Sequence, residues 1–128
     1  MEGAIVIRTQ FDHAAVCIVD GDPAVRDSLA TVLDLCGVPV RLFATGREFL
    51  EALGGEPIRC VICEAELPDL SGLQVYQLFK QRHPQTRFAL LLSRTDPAAT
   101  AVAQRLGIET VFHKPLVHQR LTRFVTAD

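Results

Sequence analysis

Nothing in the sequence approaches the roughly 20 apolar residues that a bilayer-spanning helix needs; the longest runs, such as Phe88–Leu92, stop far short. Residues 1–10 lack the cationic-then-apolar order of a secretory signal, so a cytoplasmic chain is expected. An excess of either charge is missing too: 13 Lys and Arg stand against 15 Asp and Glu, which speaks against a disordered tail or a polyanion-binding surface. Four cysteines, set within apolar segments, are too few for the disulfide framework of a small secreted domain and read as buried, reduced thiols. Cys60 and Cys63 have the spacing of a redox or zinc pair, but on a strand residues three apart point to opposite faces. No Gly-x-Gly-x-x-Gly or Walker loop follows the first apolar run, which disfavours a nucleotide binder. Linkers and low-complexity stretches are also absent, so residues 1–128 are expected to form one domain, its core at about 14–126 with 1–13 as an N-terminal extension.

What is present is an alternation. Ala14–Val19 is a β-branched apolar run closed by Asp20-Gly21-Asp22-Pro23, which predicts a buried strand and a sharp turn. Asp22 suits the N-cap and Pro23 the first position of a helix in which Val25, Leu29, Val32, Leu33 and Cys36 recur until Gly37 stops it. Val38–Phe43 reads as a second strand; Thr45-Gly46-Arg47-Glu48 has capping-box form ahead of Phe49, Leu50 and Leu53. Ile58–Cys63 is the third strand, and past the turn at 68–72 Ser71 and Gln74 can box a helix that faces Leu73, Tyr76, Leu78 and Phe79 inward. Phe88–Leu92 is the fourth strand, Asp96-Pro97 opens an alanine-rich helix that ends at Gly107, and Thr110–His113 is the fifth strand. Leu121, Phe124 and Val125, with Leu116 or Val117, mark a last amphipathic helix. Near-continuous apolar strands alternating with helices imply a parallel sheet covered on both faces, a doubly wound α/β fold.

In such a sheet the C-terminal ends of the strands share one rim, where sites form. That rim is loaded selectively: Asp20 follows strand one, Glu64 strand three, Ser93 strand four and Lys114 strand five. Any one strand must end in something polar. Two acids, a hydroxyl and a lysine together ask for a chemical account.

Four segments, VDGDPAVRDSLATVL at 19–33, the Glu64…Pro68…Ser71-Gly72 spacing, LLLSRTD at 90–96 and His113-Lys114-Pro115, make residues 14–126 resemble the receiver domain of bacterial two-component response regulators, closest to the subgroup often followed by a LuxR-type DNA-binding domain. The resemblance implies a flavodoxin-like (CheY-like) five-stranded sheet in the order 2-1-3-4-5, and a signalling module rather than an enzyme. It also implies that the strand-three residue is a phospho-accepting Asp, that two acids after strand one help hold Mg²⁺, and that a Thr or Ser and a Lys contact the phosphoryl group. By position Asp20 matches the first acid, Ser93 the hydroxyl and Lys114 the lysine, while Gly21 falls on the second acid and Glu64 on the phospho-acceptor. Losing a metal ligand weakens the charge stabiliser, and one further methylene, roughly 1.5 Å, displaces the nucleophile from in-line geometry.

The expectation is therefore an atypical receiver without a cofactor, in which Glu64 is a built-in anion reaching toward Lys114 and Ser93. Asp22, counted with Asp20 in the acidic pocket, is expected to be occupied capping the first helix. The alternatives are a weak Mg²⁺-dependent phospho-acceptor, with Asp20, Glu64 and the Glu66 carbonyl near the metal, or the receiver fragment of a transcriptional regulator. Val111 stands where the family often carries a mobile Tyr or Phe switch, and its β-branched side chain has little freedom to move; Phe112 reads as core. Small residues of the fourth helix, Ala98, Ala99 and Ala103, permit close approach of a partner. A homodimer or a protein partner, a sensor kinase or other signalling protein, is expected on the face of the fourth helix, fifth strand and fifth helix, as in responsive relatives. His13, His83, His113 and His118 lack zinc spacing, and Arg26, Arg120 and Arg123 form no basic stripe, so direct nucleic-acid binding is not expected.

Overall fold

The computed structural model describes residues 14–127; the expected N-terminal extension at 1–13, and His13 with it, lies outside the described residues. In chain order the elements are β1 (Ala15–Val19), α1 (Pro23–Leu35), β2 (Val40–Phe43), α2 (Gly46–Glu51), β3 (Ile58–Glu64), α3 (Gly72–Arg82), β4 (Arg87–Leu92), α4 (Pro97–Arg105), β5 (Thr110–His113) and α5 (His118–Thr126). The five strands are all parallel, in the order β2-β1-β3-β4-β5, which is the doubly wound architecture expected.

Each central strand is buried on both faces, as continuous apolar runs require. Cys17, Val19, Val61, Cys63 and Leu90 pack with Phe49, Val75 and Phe79 of α2 and α3. Val16, Ile18, Cys60, Ile62 and Leu91 pack on the other side with Leu29 and Leu33 of α1 and Leu121 and Val125 of α5. Cys60 and Cys63 thus sit on opposite faces of β3, and burial pushes the Cys60 thiol up to about 12 and the Cys17 thiol to about 11. Cys36 departs from the expected buried set: it follows the last turn of α1 and is exposed, because Gly37 in the left-handed region (φ 72°) turns the chain away.

That same turn shortens β2. The Val38 N–H donates to Leu33 O at 3.1 Å, closing the helix, and Pro39 has no donor, so the ladder starts at Val40 rather than at Val38. Side-chain caps open four of the helices: Asp22 bonds Ala24, Thr45 bonds Glu48, Asp96 bonds Ala99, and Ser71 with Gln74 forms the full capping box. In α3 Leu78 is exposed and Val75 takes the buried place expected of it, because the buried face, turned to the sheet and to α2, runs Gly72, Val75, Tyr76, Phe79. In α4 Ala103 is fully buried, which removes it from the surface stripe; Ala98 is exposed.

Candidate functional site at the carboxyl rim of the sheet

β3 runs one residue past the expected Ile58–Cys63, so Glu64 is its last paired residue, in register with Leu91. Its backbone is held from behind, since a Cβ at Gly72 would stand 2.4 Å from Glu64 O and only glycine lets α3 start so close. The Gly72 N–H donates to Ala65 O at 2.8 Å, fixing the turn.

Asp20 directly follows β1 and has no exposed surface. Its backbone N–H donates to Phe43 O (3.0 Å), its carbonyl accepts from Arg26 Nη1 of α1 (2.7 Å), and its Oδ1 accepts from the Asp22 N–H (2.9 Å). Lys114, whose N–H bonds Leu92 O at 2.9 Å directly after β5, brings Nζ to 3.1 Å from Asp20 Oδ2 and 3.2 Å from Glu64 Oε1. The approach to Asp20 Oδ2 lacks the alignment of a hydrogen bond and is a bare charge contact, whereas that to Glu64 Oε1 is also a hydrogen bond. Glu64 Oε2 accepts the Gly21 N–H at 3.1 Å.

One ammonium therefore serves two acids in a site where Asp20 is buried and the lysine side chain keeps only 21% of its exposure. Burial pushes the Asp20 carboxyl above its ordinary value; the Asp22 N–H opposes this and the neighbouring Glu64 adds to it. For Lys114 burial acts downward, but the close contacts and negative charges of Asp20 and Glu64 outweigh it and hold the ammonium above its ordinary value.

Of the other residues singled out by sequence, Asp22 is exposed, with its carboxylate committed to the Ala24 N–H as the α1 cap, so only its backbone reaches the pocket. Ser93 is not drawn in: it is exposed and its hydroxyl makes no hydrogen bond to Glu64 or any other described residue, contrary to the expectation that Glu64 reaches both partners. The two Glu64 oxygens go instead to the Gly21 N–H after β1 and to Lys114 after β5. Ser93 and Lys114 both border a cleft of about 630 Å³ between α1 and the segment after β5. Glu66 is exposed, Val111 is half-buried, and Phe112 is core.

Two supports of the site had no sequence signal. Arg26 is one, reaching back from α1 to the Asp20 carbonyl. Asp69 is the other: its carboxylate accepts N–H bonds from Gly46 (3.0 Å), Arg47 (2.9 Å) and Leu70 (2.9 Å), tying the β3–α3 loop to the start of α2. Among the described residues no group of three or more His, Cys, Asp and Glu is placed to hold a metal ion.

Comparison with known proteins bears on the same region. Transcriptional regulatory protein FixJ of Bradyrhizobium diazoefficiens is 30% identical over 110 residues, 86% of this chain and 54% of that protein. Regulator of RpoS of Escherichia coli is 31% identical over 101 residues, 79% of this chain and 30% of that protein. The chain thus spans about half, or less, of the length of these relatives. Among solved structures, a putative response regulator from Chloroflexus aurantiacus superposes with a TM-score of 0.81 at 26% identity, covering 88% of this chain and 93% of that one. A CheY-like receiver domain protein from Methanospirillum hungatei gives 0.80 at 21%, covering 88% and 90%, which speaks to the fold alone. The family model described as the response regulator receiver domain matches residues 16–126, and the chain belongs to that family.

Proposed function

We propose that this receiver domain signals without accepting a phosphoryl group, with Glu64 as a permanent carboxylate in the pocket. The observation that carries the reading is that both Glu64 oxygens are engaged by the protein itself, Oε1 by Lys114 at 3.2 Å and Oε2 by the Gly21 N–H at 3.1 Å. In-line attack on phosphorus needs a nucleophilic oxygen that is placed and uncommitted. Here the reacting oxygen would have to leave a charge-assisted bond first.

Mg²⁺, which the family resemblance implies, does not fit this donor set. Asp20 Oδ1 and Glu64 Oε2 face backbone N–H groups, Asp20 Oδ2 and Glu64 Oε1 face the ammonium, and Gly21 supplies no side-chain oxygen. A hard cation that prefers an octahedron of oxygens has no ligand cage there, and Lys114 already balances one of the two acids. The reading then places output in contacts with a protein partner or a second copy through α4, β5 and α5, where the exposed Ala98 allows close approach. In a longer regulator of the kind its relatives' names describe, the same face would meet the attached domain.

The test is an amide NMR titration with Mg²⁺ and the phosphoryl mimic beryllofluoride. Unchanged positions for Glu64, Ser93 and Lys114 are expected; shifts at these three would establish a responsive acceptor and overturn the reading.

A further inference from the structure

At the opposite end of the sheet the structure assembles something the sequence conceals. A cleft of about 850 Å³ crosses the N-terminal ends of β4 and β5, between the C-terminal half of α3 and the outer face of α5. Its charged lining is Lys80, Arg87, Arg120 and Arg123 against the single acid Glu109, in a chain whose net charge is -2. These cations are scattered over more than 40 positions of sequence, which is why no basic stripe is visible there. The strand ends and α5 bring them to one wall, and no residue of α4 contributes to it.

The four cations divide into two kinds. Arg87 bonds Phe124 O and Ala127 O (the latter at 2.9 Å) with its guanidinium 4.8 Å from the Phe124 ring, and Lys80 bonds Thr86 O. These two are fixed as structure: they close the last turn of α5 and the α3–β4 loop. Arg120 and Arg123 are exposed and their side chains make no hydrogen bond or ion pair within the described residues; the Arg120 guanidinium lies 5.5 Å from the Phe112 ring. They stand three apart on α5, hence on one face of the helix, with Cβ atoms about 5–6 Å apart. Two fixed cations thus set a positive floor, and two uncommitted guanidinium forks stand at the mouth.

We propose that this cleft binds an acidic, extended segment of a protein partner. Guanidinium forks match carboxylates bidentately. In an extended chain alternate side chains lie on one side, about 6.6–7 Å apart, within reach of two long arginines whose Cβ atoms are about 5–6 Å apart. A nucleic acid fits less well: its affinity comes from neutralising about 6–10 phosphates, whereas this wall has two uncommitted cations on a net-negative chain. The surface is separate from the Glu64 pocket, so it does not depend on how that pocket is read.

The experiment uses the full chain and a fluorescent peptide alternating Glu with Val, followed by anisotropy, beside a Gln-for-Glu peptide and a single-stranded oligonucleotide of equal charge. The acidic peptide is expected to bind, to weaken with salt, and to lose about tenfold in affinity in an Arg120→Glu/Arg123→Glu variant, while Arg47→Glu, a charge reversal on exposed α2, leaves it unchanged. Both arginines are exposed, so the fold tolerates the change; an Arg120→Gln/Arg123→Gln variant checks the result without charge reversal. Absence of peptide binding, equal binding by the double variants, or tighter binding of the oligonucleotide would overturn the proposal.

Discussion

The Gly21 backbone N–H donates to Glu64 Oε2 at 3.1 Å, a contact across 43 positions of sequence. It joins the two residues at which this chain departs from the pattern its family resemblance implies. A carboxylate side chain at position 21 would bring a like charge to the oxygen that now accepts this bond. The loop in which the resemblance implies a second acid thus supplies a backbone donor to the acid at the position of the implied phospho-acceptor.

Lys114→Met is expected to destabilise the fold by about 2–3 kcal/mol at pH 7 in urea unfolding. Breaking a fully buried pair costs about 3–5 kcal/mol, and the residual exposure of Lys114, 21%, lowers the figure. The pH dependence follows from Asp20. Its folded carboxyl lies above the ordinary value of 3.8, so its protonation favours the fold; that gain is fully present below 3.8 and is lost as pH rises through the folded value. Without the ammonium the effect grows, and the deficit of the variant shrinks as pH falls toward about 4. A deficit independent of pH would contradict the charge pairing.

Gly72→Ala places a Cβ 2.4 Å from Glu64 O, 2.8 Å from Leu90 Cδ1 and 3.0 Å from Ala65 Cα, two of them rigid backbone atoms. Overpacking of this kind typically costs about 1–3 kcal/mol. Because the displaced atom is the Glu64 carbonyl, the Gly21 amide resonance is expected to move along with the loss of stability. A destabilised variant with an unmoved Gly21 amide would show that the helix gives way and the strand end does not.

The strands were legible because each is an unbroken apolar run between turn residues, and four of five helix starts were legible because Asp22, Thr45, Ser71 and Asp96 are good caps next to glycine or proline. α5 shows the limit of that logic: it has no side-chain cap, and Arg59 (2.6 Å to Val125 O) and Arg87 secure its far end from the starts of β3 and β4. Leu78 and Cys36 were misplaced because helical spacing gives the width of an apolar stripe but not its edges. The rim residues Asp20, Glu64 and Lys114 could be read from strand ends. The orientation of Glu64 could not, since it is set by the Gly21 backbone, and neither could the tie from Asp69 to α2, because Asp69 carries no capping spacing toward that helix in the sequence.

Asp69→Ala is expected to free the β3–α3 loop from α2. Burial nudges the Asp69 carboxyl up, and the N–H donors of Arg47, Gly46, Asp69 itself and Leu70 outweigh it and hold the group below its ordinary value. A depressed carboxyl contributes stability above its unfolded value of 3.8 and loses it as pH falls through the folded value. The expected outcome is faster hydrogen exchange at Gly46 and Arg47 in the variant at pH 7, with wild type and variant converging in strong acid once exchange is corrected for its intrinsic pH dependence. Equal protection at pH 7 would mean that Thr45 alone holds the start of α2.

The sharpest test of the pocket restores what the family resemblance implies. Glu64→Asp alone withdraws the carboxylate from the Gly21 N–H and Lys114 without supplying a metal ligand, so Mg²⁺ should not stabilise it. Gly21→Asp alone adds an acid against Glu64 and forces a Cβ to 3.2 Å from Pro68 Cγ and Cδ, so the ring must yield by a few tenths of an ångström. Together the changes shorten one acid and add another, giving three acids with one lysine, a set that calls for a divalent cation. The double variant is expected to be less stable than wild type without metal and to gain about 1.4 kcal/mol when Mg²⁺ reaches ten times its dissociation constant. Wild type gains nothing in the same thermal scan. A Gly21→Ala control separates the Pro68 contact from the charge, because it carries the same Cβ and no carboxylate. If wild type gained as much from Mg²⁺ as the double variant, the pairing of Glu64 with Lys114 would not be what excludes the metal, and the pocket would have to be read as a working phospho-acceptor.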